Sequence, residues 1–189
     1  MSADLASART NMVDCQVRTQ DVTDLAVIEA MRRIRRETLV PDGKTYLAYA
    51  DAEIEYAPGR WMLRPRDVGK LLQALRPRRG EKALAVAAPY AASVLEAIGL
   101  AVTALSHGDL HAVVGDFDVV VCEGAVSSTP AAWLASLAIG GRLGVVERNG
   151  PVGHALLYLR SGAGVGRRIL FDSTPPVLAG FEAEHRFAL

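Results

Sequence analysis

The apolar positions of this chain change their spacing near residue 82. Upstream of that point three segments are predicted to be helical: residues 3–18, which are polar with scattered apolar side chains, and residues 23–41 and 65–77, in which apolar side chains recur at helical intervals. The second segment begins with Thr23, a residue type that caps helices, and the third is bounded by prolines. A loop rich in aromatic residues separates these two segments. The first part of the chain is therefore predicted to be helical, with one long connection.

From residue 82 onward, short apolar runs alternate with helical patterns. Strands are predicted at residues 82–88, 101–106, 117–125 and 142–148, and helices at 90–99 and at 130–139, the latter closed by Gly140 and Gly141. Because strands that alternate with helices pair in parallel through helical crossovers, the segment predicts a parallel sheet. Two further apolar runs flank the glycine-rich stretch SGAGVG, and they predict an antiparallel hairpin at the sheet edge.

The length and composition favour one compact α/β unit. We expect an N-terminal helical extension and loop, residues 1–80, packed on a core formed by residues 81–189. A chain of 189 residues with 50% apolar residues can bury one sizeable core. Basic and acidic residues are balanced at 21 each, so no overall charge attracts nucleic acid or an anionic membrane. No apolar run is long enough to cross a bilayer, and a cytoplasmic protein is predicted.

The cysteine and histidine residues do not form a recognisable metal-binding pattern. Cys15 and Cys122 lie far apart, and both are interpreted as small apolar residues in packed positions rather than as disulfide or zinc ligands. His107 and His111 are four residues apart with Asp109 between them, a spacing that would suit a metal on a helical face. Solvated loop histidines are the simpler interpretation, and no metal site is predicted.

Several segments, taken in their order, resemble the protein-L-isoaspartate O-methyltransferases. They are ARTNMVDCQVR, RRETLVP followed by AYAD, GRWMLRP, FDVVVCEGAV, LAIGGRLGVV, and the closing GPVGHALLYLRSG with RRILFDSTPPVLAGF. The resemblance covers nearly the whole chain and rests on the joint order of the segments. It implies a Rossmann-like methyltransferase sheet with an N-terminal helical addition. It also implies that S-adenosyl-L-methionine gives its methyl group to the carboxylate of an isoaspartyl residue in a damaged protein, as a repair step.

The turn after the first predicted strand departs from that family's pattern. The family has an acid and several glycines there, and glycine lets the backbone approach the cofactor closely. The corresponding positions here are Ala85 for the acid and, for a turn about two residues shorter, Ala87, Ala88, Pro89 and Tyr90. Ser106 or His107 stands where an acid that binds the ribose is expected, with Asp109 nearby as the only substitute, and Glu123 is the remaining position expected at the cofactor site. S-adenosyl-L-methionine is thus the cofactor that the family implies, at positions that have lost the usual residues.

The loop that would hold the methyl acceptor is also altered. Leu63 stands where the family often has a serine near the acceptor, and leucine cannot form a hydrogen bond with a carboxylate. Arg64 and Arg66 are the remaining candidates for an acceptor anion, although structural ion pairs are the commoner role of such arginines.

The chain is short between its second and third predicted core strands. Only HGDLHAVVGDF separates them, where the family has a helix, a strand and another helix. A parallel crossover needs about a dozen residues, so we expect one strand with its helices to be missing and the adenine side to be open. The second core strand then becomes an exposed edge, which invites pairing with a second copy of the chain or with another protein.

Two interpretations follow from these departures. In the first, the chain is a non-catalytic member of the family that serves as a binding or assembly module. In the second, it is an active S-adenosylmethionine-dependent carboxyl methyltransferase of isoaspartyl proteins, with a pocket that is remodelled or completed by a partner. The alanines and the proline at the turn favour the first.

Overall fold

The computed structural model describes residues 2–183, which form two sheets and five α-helices. The strands are β1 (Ile54–Ala57), β2 (Arg60–Met62), β3 (Lys82–Val86), β4 (Ala101–Leu105), β5 (Phe117–Val126), β6 (Leu137–Arg148), β7 (Gly153–Ser161) and β8 (Gly164–Asp172). The helices are α1 (Ser2–Met12), α2 (Leu25–Arg33), α3 (Pro65–Leu75), α4 (Pro89–Ile98) and α5 (Ala131–Ala135). Among these residues, no helix is both long enough and apolar enough to cross a lipid bilayer.

The central sheet has six strands in the order β4-β3-β5-β6-β7-β8. The pairs β3–β4, β3–β5 and β5–β6 are parallel, whereas β6–β7 and β7–β8 are antiparallel. The predicted α/β fold with a mostly parallel sheet and a C-terminal hairpin is therefore confirmed, and β4 lies at one edge as expected. Strands β1 and β2 form a separate antiparallel pair inside the segment that was predicted as a loop.

Helices α3 and α4 match their predictions because proline and glycine mark their ends. Pro65 and Pro89 each occupy the first turn, where a missing backbone N–H costs nothing. Gly99 ends α4 in the left-handed conformation, with φ of 105°. The apolar stripe predicted for α3 is buried.

Helix α2 is shorter than predicted. It ends at Arg33 rather than near Pro41, and its N-cap is Asp24, not Thr23. The Asp24 carboxylate accepts hydrogen bonds from the backbone N–H groups of Ala26 and Val27, at 2.9 and 3.1 Å. The helix stops early because the chain turns inward and buries Arg36.

The helix predicted over residues 130–139 is also shorter in the structure. Helix α5 ends at Ala135, and β6 begins at Leu137. Phe117 pairs with Leu137 whereas Val119 pairs with Arg142, so the residues between them bulge out of the β5–β6 ladder. The apolar run that suggested a helix is thus the first part of a bulged strand.

The core lies on both faces of the sheet. Ala83 and Ala85 of β3 pack with the face covered by α2, α3 and α4, whereas Leu84 and Val86 pack with the face that holds Trp133 of α5. Strands buried on both faces are expected to be mostly apolar, and β3 and β5 are apolar apart from Lys82, Asp118 and Glu123. Cys122 lies in this core, but Cys15 is exposed, which corrects its interpretation as a packed residue.

The contact of α3 with β6 tests whether the N-terminal part packs on the core as one unit. A Cβ atom at Gly144 would lie 3.1 Å from Leu75 and 3.4 Å from Leu71. Gly144→Val is therefore expected to lower the free energy of unfolding by about 1–3 kcal/mol, measured by urea denaturation. Gly166→Val in β8 is the matched control, because no atom lies within 4 Å of its Cβ position. Equal stability of the two variants would contradict the close packing of α3 against β6.

Candidate functional site

The candidate site, called the crevice below, is the region at the carboxyl ends of β3 and β5 where Ala87, Ala88, Tyr90 and Glu123 lie, all four of them buried. The strand order reverses here, because β3 leads to the edge strand β4 on one side and β5 lies on its other side. Open α/β sheets bind their ligands at such a reversal. Helix α4 begins directly after β3, and a helix N-terminus is suited to bind an anion.

A carboxylate of the chain itself occupies the N-terminal end of α4. Glu123, on β5, is fully buried. Its Oε1 atom accepts hydrogen bonds from the backbone N–H groups of Tyr90 and Ala91, at 3.0 and 2.8 Å. Its Oε2 atom accepts a hydrogen bond of 3.0 Å from the N–H of Leu63. One side chain thereby joins β5, α4 and the loop between β2 and α3, at the place where a bound anion would otherwise lie.

Arg36 is the positive charge that lies nearest in this buried region. It is fully buried, donates a hydrogen bond of 2.6 Å from Nη2 to the carbonyl oxygen of Leu63, and lies 4.5 Å above the Tyr90 ring. The backbone of Leu63 therefore connects Arg36 with Glu123. Over residues 2–183, the Nε and Nη1 atoms of Arg36 and the hydroxyl groups of Tyr56 and Tyr90 are buried without a hydrogen-bond partner.

The buried side chains of Arg36 and Glu123 influence each other's pKa. Burial raises the pKa of the Glu123 carboxyl, while the Arg36 guanidinium and the three backbone N–H groups act in the opposite direction without outweighing it. Burial also lowers the pKa of Arg36, and the nearby Glu123 opposes that shift. Each charge therefore reduces the desolvation cost of the other, and removal of either one would leave its partner uncompensated.

The turn after β3 keeps a glycine-like backbone although it has no glycine. Ala87 has φ of 46°, in the left-handed region that favours glycine, and its N–H donates to the carbonyl oxygen of Leu105 at 2.9 Å. Ala87, Ala88 and Tyr90 are buried, and Pro89 is the first residue of α4. The turn thus brings these four predicted residues together with Glu123.

Of the two other predicted cofactor positions, Ala85 lies within β3, whereas Ser106 lies at the same end of the sheet as Ala87 and directly follows Leu105, the acceptor of the Ala87 N–H. Ala85 is in the middle of β3, paired with Ala104 and Val121, and its side chain packs in the core on the α3 face. Ser106 is half-buried just after β4.

The three acceptor-loop candidates are all engaged within the protein. The side chain of Leu63 is fully buried, and its backbone holds Arg36 and Glu123. Arg64 forms an ion pair of 2.6 Å with Glu53, and Arg66 forms one of 3.3 Å with Asp51. These contacts agree with the interpretation that Arg64 and Arg66 form structural ion pairs rather than bind an acceptor anion.

Space for a ligand is found elsewhere on the surface. Four surface cavities have volumes of about 740, 710, 530 and 420 Å³. None of these four is lined by Ala87, Ala88 or Glu123.

The histidines considered as metal ligands lie in turns. His111 stacks on Phe181 with ring centres 4.1 Å apart, and its Nε2 atom is 3.0 Å from the carbonyl oxygen of Gly180. His107 is exposed. Within the described part of the chain, no group of three or more His, Cys, Asp or Glu residues could hold a metal ion.

Sequence reasoning missed the roles of Glu123 and Arg36. Glu123 was named as a cofactor position, and Arg36 was read as part of a helix. One signal was available: an acid within the apolar run VVVCEGAV must find buried partners, because an unpaired buried charge is very costly.

The sheet order, the crevice at the strand ends and the C-terminal hairpin together define a Rossmann-like α/β protein of the methyltransferase type. Sequence comparison identifies two bacterial relatives that are protein-L-isoaspartate O-methyltransferases. The protein of Methylorubrum extorquens (strain PA1) is 33% identical over 184 aligned residues, covering 82% of this chain and 80% of the relative. The protein of Methylorubrum populi is 32% identical over 181, covering 81% and 85%. This chain therefore belongs to the protein-L-isoaspartate O-methyltransferase family, although no family model matches its sequence.

Two solved structures of proteins with the same name share the fold. One has a TM-score of 0.74 at 16% identity, covering 92% of this chain and 67% of that structure. The other, from Plasmodium falciparum, has a TM-score of 0.73 at 14% identity, covering 90% and 97%, and was solved in complex with S-adenosyl-L-homocysteine. That ligand is the demethylated form of S-adenosyl-L-methionine, the cofactor that the resemblance implied for the family.

Removal of the Glu123 carboxylate tests the buried arrangement. Glu123→Ala leaves three backbone N–H groups without their acceptor and Arg36 without its nearest counter-charge, so the free energy of unfolding should fall by about 3–5 kcal/mol. Urea denaturation measures this loss. Glu96→Ala is the matched control, because Glu96 is exposed on the same helix α4, and its replacement should change stability by less than about 0.5 kcal/mol. Equal effects of the two substitutions would show that the Glu123 contacts are not formed.

Proposed function

We propose that this chain is a non-catalytic member of the family that acts as a binding or assembly module, located in the cytoplasm. The observation that carries the proposal is the Glu123 carboxylate at the N-terminal end of α4, where a ligand anion would otherwise lie. The residues of the turn do not fit an adenosyl group, since Ala87 and Ala88 have buried side chains where the family has glycine.

The energetic argument concerns what a ligand must displace. A nucleoside or carboxylate in the crevice would have to break the hydrogen bonds that Glu123 accepts from Leu63, Tyr90 and Ala91. Each hydrogen bond to a charged group contributes about 1.5–3 kcal/mol, so the three together oppose binding by about 4–9 kcal/mol. A ligand that must break these hydrogen bonds to enter the crevice therefore binds with an apparent affinity that is weaker by about a thousandfold or more.

The acceptor side supports the same proposal. Leu63 directs no polar side-chain atom to an acceptor, and Arg64 and Arg66 are neutralised by Glu53 and Asp51. An active carboxyl methyltransferase with a remodelled pocket, acting on isoaspartyl proteins, is the competing function. It requires the crevice to open and a partner group to replace the lost contacts.

A measurement of the melting temperature with and without ligand distinguishes the non-catalytic module from the active methyltransferase. A ligand present at 100 times its dissociation constant stabilises a protein by about 2.7 kcal/mol, which raises the melting temperature of a chain of this size by several degrees. We expect no shift with S-adenosyl-L-homocysteine at about millimolar concentration. The relative from Methylorubrum extorquens, measured in parallel, is the positive control. A saturable shift for this chain, followed by methyl transfer to an isoaspartyl peptide, would establish the enzyme instead.

The edge strand β4 is the surface that we assign to assembly. No charged residue and no proline lie between Ala101 and Ser106, and Ala101, Thr103 and Ala104 are exposed. Ala101 donates to Glu81 and Leu105 accepts from Ala87, so odd-numbered residues direct their backbone groups at β3. Val102 and Ala104 therefore direct theirs at the open edge. Such an unprotected edge is a template for a second strand, and a second copy of β4 fits it without charge repulsion.

A proline on the open side of β4 tests this assembly. Ala104→Pro removes an outward N–H but keeps the hydrogen bonds between β4 and β3, so light scattering should find a dimer in the unaltered protein and a monomer in the variant. Ala104→Ser keeps the N–H and is the matched control. A monomeric unaltered protein at about 100 µM would contradict self-assembly through β4.

A further inference from the structure

A groove lies between the end of α3 and the β7–β8 hairpin. Two adjoining cavities of about 740 and 710 Å³ form it, and they share four residues in their lining, Ala74, Arg76, Arg78 and Arg168. The groove also borders Arg142, near the start of β6. It therefore lies at the opposite end of the sheet from the crevice.

The shared part of the groove carries positive charge that the protein does not neutralise. Arg76, Arg78 and Arg168 are exposed, and within residues 2–183 none of them forms an ion pair. Arg142 is different, because it binds Glu81 at 3.0 Å and the carbonyl oxygens of Leu75 and Arg76. Neighbouring like charges repel one another, and a bound anion would relieve that repulsion.

Acids also lie near this part of the groove, although none of them forms an ion pair with the three arginines: Asp21 and Asp24 line the first cavity together with Arg76, Arg78 and Arg168, and Glu81 accepts a hydrogen bond of 2.8 Å from the backbone N–H of Arg78. Asp21 and Asp24 border only the first cavity. The Asp24 carboxylate is already used as the N-cap of α2. Lys70 adds a further cation to the first cavity, with Nζ 4.4 Å from the centre of the Phe171 ring.

Arg76 has a backbone conformation that is unfavourable for it. It follows the last residue of α3 with φ of 47° and ψ of 58°, the left-handed conformation in which glycine is preferred. A cation at a helix C-terminus gains from the helix dipole, but a nearby lysine or arginine on the helix would supply that gain without the backbone strain. An arginine in a strained position next to two other unpaired arginines points to a role in binding.

The groove also has an apolar floor, which narrows the class of ligand. Leu157 and Leu159 line the second cavity beside Arg168, and Leu159 is 48% exposed. A phosphate group alone would leave this floor in contact with water. We propose that the groove binds an acidic peptide segment, whose carboxylates pair with Arg76, Arg78 and Arg168 and whose apolar side chain covers Leu157 and Leu159.

Binding of a labelled peptide tests the proposal. The probe is a fluorescein-labelled peptide of alternating glutamate and leucine residues, followed by fluorescence anisotropy with the full chain. We expect saturable binding that weakens as salt rises, and a loss of about tenfold or more in affinity for the double variant Arg78→Gln, Arg168→Gln. The control double variant, Arg33→Gln with Arg35→Gln, has the same net charge, and its two positions are the last residue of α2 and the second residue after it, so its affinity should stay within about twofold.

Arg76→Gly separates binding from stability. Glycine relieves the strain at this position, so the melting temperature should stay equal or rise, while affinity for the peptide falls about threefold to tenfold. Unchanged affinity in the Arg78 and Arg168 double variant would overturn the proposal. Tighter binding of tripolyphosphate than of the peptide would overturn it as well, because it would assign the groove to phosphate. Neither result depends on whether the crevice binds S-adenosyl-L-homocysteine.

Discussion

The buried carboxylate of Glu123 is the contact on which the arrangement of this protein depends. It joins β5 to the first turn of α4 and to the loop before α3, and the backbone of Leu63 extends the contact to Arg36. Burial of a charge pair requires hydrogen bonds to its polar groups: Glu123 accepts three from backbone N–H groups, whereas Arg36 donates one to Leu63, and its Nε and Nη1 atoms have no partner among residues 2–183. The early end of α2 follows from the same requirement, because Arg36 must leave the helix to reach the interior. The N-terminal part and the sheet are thereby connected through polar contacts as well as through apolar packing.

Much of the fold was predictable because short-range signals determine it. Prolines and glycines mark the ends of α3 and α4, and the alternation of strands and helices predicts the parallel strands. The segment before β6 was not predictable in the same way, because the run LASLAIGG is apolar enough for a helix or for a strand. Its pairing with Phe117, a contact between residues 20 positions apart, decides the outcome. The exposure of Cys15 likewise depends on what packs around the N-terminal helix, which composition does not reveal.

The candidate site was predictable in its composition but not in its contacts. The replacement of glycines by Ala87, Ala88 and Pro89 is visible in the sequence, and the structure brings these residues together. That Glu123 lies at the N-terminal end of α4 could not be read from the sequence, because it requires the register of β5 against β3. The same is true of Arg36, whose neighbours in the sequence suggest a solvated helical face. Buried charges are recognised reliably only once the elements on both sides of them are placed.

The turn after β3 shows that the fold and a bound ligand place different requirements on the same residues. Ala87 retains the left-handed backbone, which its hydrogen bond to Leu105 and the start of α4 impose. An alanine in this conformation costs about 1 kcal/mol relative to glycine, a strain that a domain can tolerate. The fold therefore does not need glycine at this turn. What glycine provides is room for another molecule against the backbone, and the methyl groups of Ala87 and Ala88 use that room for packing. The sheet and its helices are those of the family, and our proposal that this chain is non-catalytic rests on the buried methyl groups of Ala87 and Ala88 and on the contacts of Glu123.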